Sequence, residues 1–147
     1  MSLRERLNDE LKSSMKSKDE LKLSVIRMIR SSMKNREIDL KHELDDREII
    51  EIISTLCKQR RESIRLFREA SRQDLVDKEE KELALLLDFL PQQLTREELE
   101  ELVMKTIAEC GAQGSKDMGR VMKALQPGVA GRADGKLVSE VVKEKLA

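Results

Sequence analysis

Five basic residues near the C-terminus have the types and spacing of a phosphate-binding surface. They are Arg120, Lys123, Arg132, Lys136 and Lys143. Arg120 and Lys123 lie three residues apart on one predicted helix, and Lys136 and Lys143 lie seven apart on the next, so each pair shares a helix face. Arg132 lies in the turn between these helices. Such cations can contact the phosphates of a nucleic acid, which supply most sequence-independent affinity.

The same five residues also fit a second interpretation, an ordinary solvated helix surface, because Glu140 and Glu144 are interspersed with them. Both interpretations stay open on spacing alone. The only aromatic residues are Phe67 and Phe89, which argues against stacking of unpaired bases. If the surface binds nucleic acid, the backbone of a structured RNA is the favoured target.

No other residues suggest a catalytic, metal or cofactor site. The single histidine, His42, lies in a polar linker with no nucleophile beside it. Cys57 falls on an apolar helix face and Cys110 at a helix end, and their separation matches no metal-ligand spacing. Glycine-rich phosphate-loop patterns are absent. The sequence therefore predicts no catalytic residue, no metal ligand and no cofactor.

The elements that position these residues are predicted to be helices throughout. Charged and hydrophobic residues each make up 39% of the 147 residues, with only two prolines and six glycines, a composition typical of amphipathic helices. About four helices are expected in the first part of the chain. The first carries an apolar stripe at every fourth residue, and aspartates are expected to cap the next three. The stripe is Leu3, Leu7, Leu11 and Met15, and the capping residues are Asp19, Asp45 or Asp46, and Asp74.

Pro91 marks the predicted boundary between a domain of residues 1–90 and one of residues 91–147, because proline cannot continue a helix. The second domain is expected to hold three helices. The first begins with a capping box of Thr95 and Glu98 and ends at Gly111 and Gly114. The second ends at Pro127, and the third is capped by Asp134. Gly119 is expected to allow another helix to approach closely, and Gly131 and Gly135 to adopt positive φ.

Arg60 and Arg61 interrupt the apolar face of the third helix. A charge on such a face must be paired or must reach solvent. Glu79 and Glu82 on the acidic fourth helix are the natural partners, so inter-helix ion pairs are predicted in preference to a ligand site.

Two parts of the sequence resemble a known family. Residues 117–125 (DMGRVMKAL) and 131–146 are similar to the closing motif of the GatB/YqeY domain, the tail of the B subunit of the tRNA-dependent amidotransferase. Residues 58–64 (KQRRESI), with Arg72, Asp74, Leu75 and residues 90–94 (LPQQL), are similar to the helical part of free-standing YqeY-like proteins. The resemblance implies an all-α fold with two domains and a tail that contacts tRNA. The catalytic parts of the amidotransferase have no counterpart in this sequence.

Three hypotheses of function follow. The first is a non-catalytic module that binds tRNA or a tRNA-handling complex through its C-terminal domain. The second is a protein-interaction adaptor that uses no RNA. The third is an accessory to carbon-nitrogen ligase activity with glutamine as amido donor. The charged start of the chain and the absence of a long apolar run predict no membrane association and a cytoplasmic location.

Overall fold

The computed structural model describes residues 1–147 and confirms the all-α class. Seven α-helices and one short 3₁₀ turn, residues 115–117, follow one another along the chain. The helices are α1 (Leu3–Ser17), α2 (Glu20–Leu40), α3 (Asp46–Glu69), α4 (Gln73–Asp88), α5 (Arg96–Cys110), α6 (Met118–Val129) and α7 (Gly135–Leu146). Contacts divide the chain into two compact units, Met1–Leu90 and Pro91–Ala147. None of the helices combines the length and hydropathy needed to span a bilayer.

The first unit, residues 1–90, packs α1 to α4 around an aliphatic core. Ile26, Ile29, Ile49, Ile53 and Leu86 are fully buried in it. Phe89 closes the core and also lies under the guanidinium of Arg6, 4.9 Å from the ring centroid. Since nearly every core side chain is aliphatic, burial of apolar area is the main stabilising contribution.

Side-chain caps start three of the four helices of the first unit. Ser2 and Asp45 each form a capping box with a glutamate three residues on, and Asp19 accepts a hydrogen bond from the N–H of Lys22. These bonds satisfy N–H groups that have no partner inside the helix. The prediction that Asp74 caps α4 is wrong. Arg72 occupies that position, and Asp74 lies in the first turn, where its carboxylate is 3.0 Å from the Arg72 guanidinium.

The apolar stripe of α1 leaves the core before the helix ends. Leu3 and Leu7 are buried, but Met15 is 55% exposed and Ser14 is buried in its place. A step of four residues advances about 40° beyond one full turn, so Met15 lies about 120° around the helix from Leu3. Ser14 lies about 20° from Leu3. The predicted apolar stripe is therefore buried only at Leu3 and Leu7.

Arg60 ties α3 to α4, as predicted. Its Nε lies 2.8 Å from Glu82 Oε2 and 3.3 Å from Glu79 Oε2, and its guanidinium also contacts the sulfur of Met28. The three charged side chains are only 13–19% exposed. At this burial each charge depends on its partner, because desolvation without compensation is costly.

The second unit, residues 91–147, packs α5, α6 and α7 around a separate core. Val103, Val121, Val141 and Val142 are its most buried members. The predicted capping box of Thr95 and Glu98 starts α5, and Gly111 ends it with φ +64°. The positive φ suits glycine, which lacks the Cβ that makes this region costly.

The expectation that α6 ends at Pro127 was wrong, since the helix continues to Val129. Val129 is buried four residues after Leu125, on the same helix face, and the N–H of Ala130 donates to Gln126 O at 3.0 Å. Proline removes one helix hydrogen bond and crowds the preceding turn. Burial of Val129 offsets that cost here.

Replacement of Arg60 by Met should lower the free energy of unfolding by roughly 3 kcal/mol, because it leaves two carboxylates nearly buried without their cation. The triple variant R60M/E79Q/E82Q should be more stable than R60M, since it removes the unpaired charges as well. Urea unfolding followed by circular dichroism measures both effects.

The matched control is Arg68→Met. Arg68 pairs with Glu80 between the same two helices at 2.8 Å, but both side chains are about half exposed, so the loss should stay below about 0.5 kcal/mol. Equal losses for R60M and R68M would contradict the role assigned to the buried pair.

Candidate functional site

The turn between α6 and α7, residues 130–134, is held in place by the segment that precedes α5. The N–H of Leu94 donates to Arg132 O at 2.8 Å, and Gln93 Nε2 donates to Gly131 O at 2.7 Å. Gly131 has φ +72°, which glycine adopts without strain. The turn that carries Arg132 is therefore anchored by one main-chain hydrogen bond and by one hydrogen bond from a side chain.

Arg132 is half-buried at this turn, and its guanidinium already has partners. Its Nε donates to Gln92 O at 3.2 Å. The pKa of Glu98 is lowered, first by hydrogen bonds from Thr95 and also by the positive charge of Arg132. Part of the charge of Arg132 is thus compensated within the protein, and the side chain stabilises the turn as well as facing solvent.

Arg120 is exposed on the first turn of α6 and is also engaged. Its Nη2 lies 3.3 Å from Asp117 Oδ1. The pKa of Asp117 is lowered, first by the backbone N–H of Gln113 and further by the charges of Arg120 and Lys116. The ion pair is solvent-exposed, where such pairs contribute little, so Arg120 can exchange Asp117 for another anion at small cost.

The three lysines of the predicted set are exposed and form no ion pair. Lys123 lies on α6 opposite Val121 and Leu125, and Lys136 and Lys143 lie on α7 opposite Val138 and Val142. Their ammonium groups are therefore available to an external anion.

The five cations do not form one compact cluster. Arg132 and Lys136 lie together at the turn, whereas Arg120 lies near the start of α6 and Lys143 near the end of α7. Lys136 and Lys143 are about 10 Å apart along the helix axis. The five residues are instead distributed along α6, the turn and α7. They are called the basic strip: Arg120, Lys123, Arg132, Lys136 and Lys143.

Two glycine predictions for α6 and α7 were wrong. A Cβ added at Gly119 would meet no atom within 4 Å, so no neighbouring helix requires glycine there. Gly135 is the first residue of α7 and lacks a positive φ. The close approach occurs at Gly128, where a Cβ would lie 3.3 Å from Leu102 Cδ2. Only packing of α6 on α5 reveals this position.

The remaining reactive side chains do not converge. Cys57 is buried and Cys110 is half-buried. His42 is exposed, with Nε2 3.6 Å from Glu48 and Nδ1 within hydrogen-bonding distance of the Glu43 carbonyl. The structure contains no group of three or more His, Cys, Asp or Glu side chains placed to hold a metal ion.

Sequence reasoning missed a second basic surface, on the first unit. Arg27, Arg30 and Lys34 line a groove between α1 and α2, together with the exposed Met15. Their spacing of three and four residues on one helix was a signal that could have identified them. The neighbouring α1 wall depends on tertiary packing and was not predictable from α2 alone.

The fold and these surfaces define an all-α protein of two compact units, the second of which carries the basic strip. The family model described as Yqey-like protein matches residues 4–146. The chain therefore belongs to the YqeY-like protein family, which confirms the resemblance seen in the sequence.

Three curated relatives bear the name "Altered inheritance of mitochondria protein 41, mitochondrial". The relative from Pyrenophora tritici-repentis is 33% identical over 142 residues, covering 95% of this chain and 78% of the relative. That from Vanderwaltozyma polyspora is 43% identical over 89 residues, 58% of this chain and 48% of the relative. That from Saccharomyces cerevisiae strain YJM789 is 37% identical over 95 residues, 64% of this chain and 51% of the relative. The alignments thus span about half the length of the two yeast relatives. Neither the family description nor these names gives a sign of catalytic activity.

The names contradict the cytoplasmic location expected from the sequence, because each relative is named as mitochondrial. They point to mitochondria instead. The expectation failed for a physical reason: a charged helical surface over an aliphatic core is equally suited to any aqueous compartment. Composition therefore cannot distinguish the cytoplasm from the mitochondrial interior.

Two glycine-to-alanine substitutions, in α6 and in the turn after it, should have opposite effects on stability. Gly119→Ala should raise the free energy of unfolding by about 0.5–1 kcal/mol, since the site is helical and open. Gly131→Ala should lower it by about 1–2 kcal/mol, because alanine pays for positive φ. Thermal unfolding of the two variants beside the parent measures the difference. A Gly131→Ala variant as stable as the parent would show that the turn does not need this conformation.

Proposed function

We propose that this protein is a stand-alone, non-catalytic helical module that binds tRNA, or a tRNA-bound complex, through the basic strip of its second unit. The observation that carries the proposal is the set of exposed, unpaired lysines at positions 123, 136 and 143. Ammonium groups without carboxylate partners release counterions from RNA when they contact phosphates, which is the main source of non-specific affinity.

The chemistry of the strip favours the backbone of a folded RNA over unpaired bases. Both aromatic residues, Phe67 and Phe89, belong to the first unit, so the strip offers no ring for base stacking. Lysines spaced along two consecutive helices can contact successive phosphates of an RNA backbone, as in proteins that recognise folded RNA by its shape. The resemblance of residues 117–146 to the tail of a tRNA-dependent amidotransferase subunit supports tRNA in particular.

The variant K123Q/K136Q/K143Q should bind tRNA at least about ten-fold more weakly than the parent at low salt, because three phosphate contacts are lost. The slope of log affinity against log salt concentration should fall by about two to three. Filter-binding titrations over a salt series measure both quantities. Arg132 is left unchanged because it also donates to Gln92 O.

The matched control is K58Q/K78Q/K81Q, which removes three exposed lysines from α3 and α4 of the first unit. It alters net charge equally and should bind like the parent. Equal affinity for the parent and K123Q/K136Q/K143Q would refute the proposal. Equal losses of tRNA affinity in both triple variants would show that binding depends only on net charge and not on the basic strip.

A second candidate function is a protein-interaction adaptor that uses no RNA. The exposed apolar side chains of the first unit, such as Met15 and Ile38, favour it. Affinity capture with and without nuclease treatment separates the two functions, since complexes bridged by RNA are lost after nuclease and direct protein complexes are retained.

A further inference from the structure

The groove between α1 and α2 has an apolar floor. It encloses about 590 Å³. Leu7, Leu11, Met15 and Met33 contribute apolar surface to it. Met15 is more than half exposed although it is large and apolar, because the stripe of α1 rotates out of the core toward this groove. The floor is therefore continuous with the core at one end and open to solvent at the other.

The wall that α2 contributes to the groove is cationic. Arg27, Arg30 and Lys34 lie at spacings of three and four, hence on one face of α2, and none of them forms an ion pair or hydrogen bond through its side chain in the structure. The one carboxylate that lines the groove, Glu37, is already bound by Arg4 at 2.9 Å and by the N–H of Leu44 at 3.2 Å. With Arg4 included, the lining carries four cations and one anion.

This absence of pairing contrasts with the arginines of α3 and the turn that follows it. Most arginines of α3, and Arg72 just beyond it, are matched by nearby carboxylates; the pairs include Arg60 with Glu82, Arg65 with Glu62 and Glu69, Arg68 with Glu80, and Arg72 with Asp74. The chain has as many acidic as basic residues overall, 29 of each. The uncompensated charge at the groove is therefore local, and it attracts an anionic partner.

We propose that the groove docks an acidic amphipathic helix of a partner protein. Such a helix presents apolar anchors at i, i+3, i+4 and i+7 to the floor and carboxylates to the α2 wall. The span from Arg27 to Lys34 is about 10 Å, or two turns of the incoming helix. Ile38 lies one turn beyond Lys34 on the same face and is 64% exposed, which extends the apolar contact.

The apolar floor decides between a protein and a nucleic acid as the occupant. A phosphate backbone would pair with Arg27, Arg30 and Lys34 but would place charge over Leu11 and Met15, at a cost in desolvation. The groove also contains no aromatic ring on which a base could stack. An amphipathic helix satisfies both the cations and the floor.

The test uses the full chain and a fluorescein-labelled peptide of leucine and glutamate, about 18 residues or five turns long, with leucines at helical spacing. Fluorescence anisotropy should show saturable binding that weakens with salt. A peptide of the same composition in scrambled order, and one with lysine in place of glutamate, should bind at least about ten-fold more weakly, since each lacks one half of the match.

Two variants assign the binding to the groove. R27Q/R30Q/K34Q should weaken it by at least about ten-fold and Met15→Ser by about three-fold, whereas K58Q/K78Q/K81Q should leave it unchanged. All four side chains replaced in the first two variants are exposed, so unchanged circular dichroism and melting temperature are expected.

Failure of the peptide to bind the parent, or unchanged binding to R27Q/R30Q/K34Q, overturns the proposal. Competition by tRNA that is lost in R27Q/R30Q/K34Q also overturns it, because the groove would then be a nucleic-acid surface.

Discussion

Burial of narrow aliphatic stripes is the constraint on which the rest of this structure depends. With two phenylalanines as the only aromatic residues, each helix has to turn its Leu, Ile and Val side chains toward neighbouring helices. This requirement produces two separate aliphatic cores, one in each unit. It also places the charged residues, 39% of the chain, on the outside, where their pairing determines which surfaces remain available.

The two surfaces proposed for binding carry cations without strong ion pairs, whereas α3 and α4 are joined by several ion pairs. On α3 and α4, arginines and glutamates form a ladder of ion pairs, and Arg60 with Glu79 and Glu82 is its buried part. On the basic strip and on the α2 wall of the groove, the cations lack such partners or hold them weakly at the surface. Uncompensated positive charge raises the local concentration of anionic partners, so these two surfaces are where binding is expected.

Both functions proposed for this member of the YqeY-like family are forms of recognition. The relatives are named for inheritance of mitochondria and not for a reaction. The two proposed surfaces belong to different units and suit different partners, because the strip has cations without an apolar floor whereas the groove has both. A module with both proposed surfaces would connect an RNA to a protein through residues of two different units.

What the sequence determined by itself was local. Side chains within a few residues of one another determined the all-α class, the capping box of Thr95 and Glu98, the cap at Asp19 and the end of α5 at Gly111. The pairing of Arg60 was predictable because a cation on an apolar face needs an anion, and α4 supplies glutamates. Tertiary structure decided the rest. Burial of Val129 extends α6 beyond Pro127, and Met15 lies outside the core. No atom packs against Gly119, whereas Leu102 packs closely against Gly128. Tertiary structure also decided which cations keep a carboxylate partner, since helix periodicity places a side chain on a face but does not specify what packs beside that face.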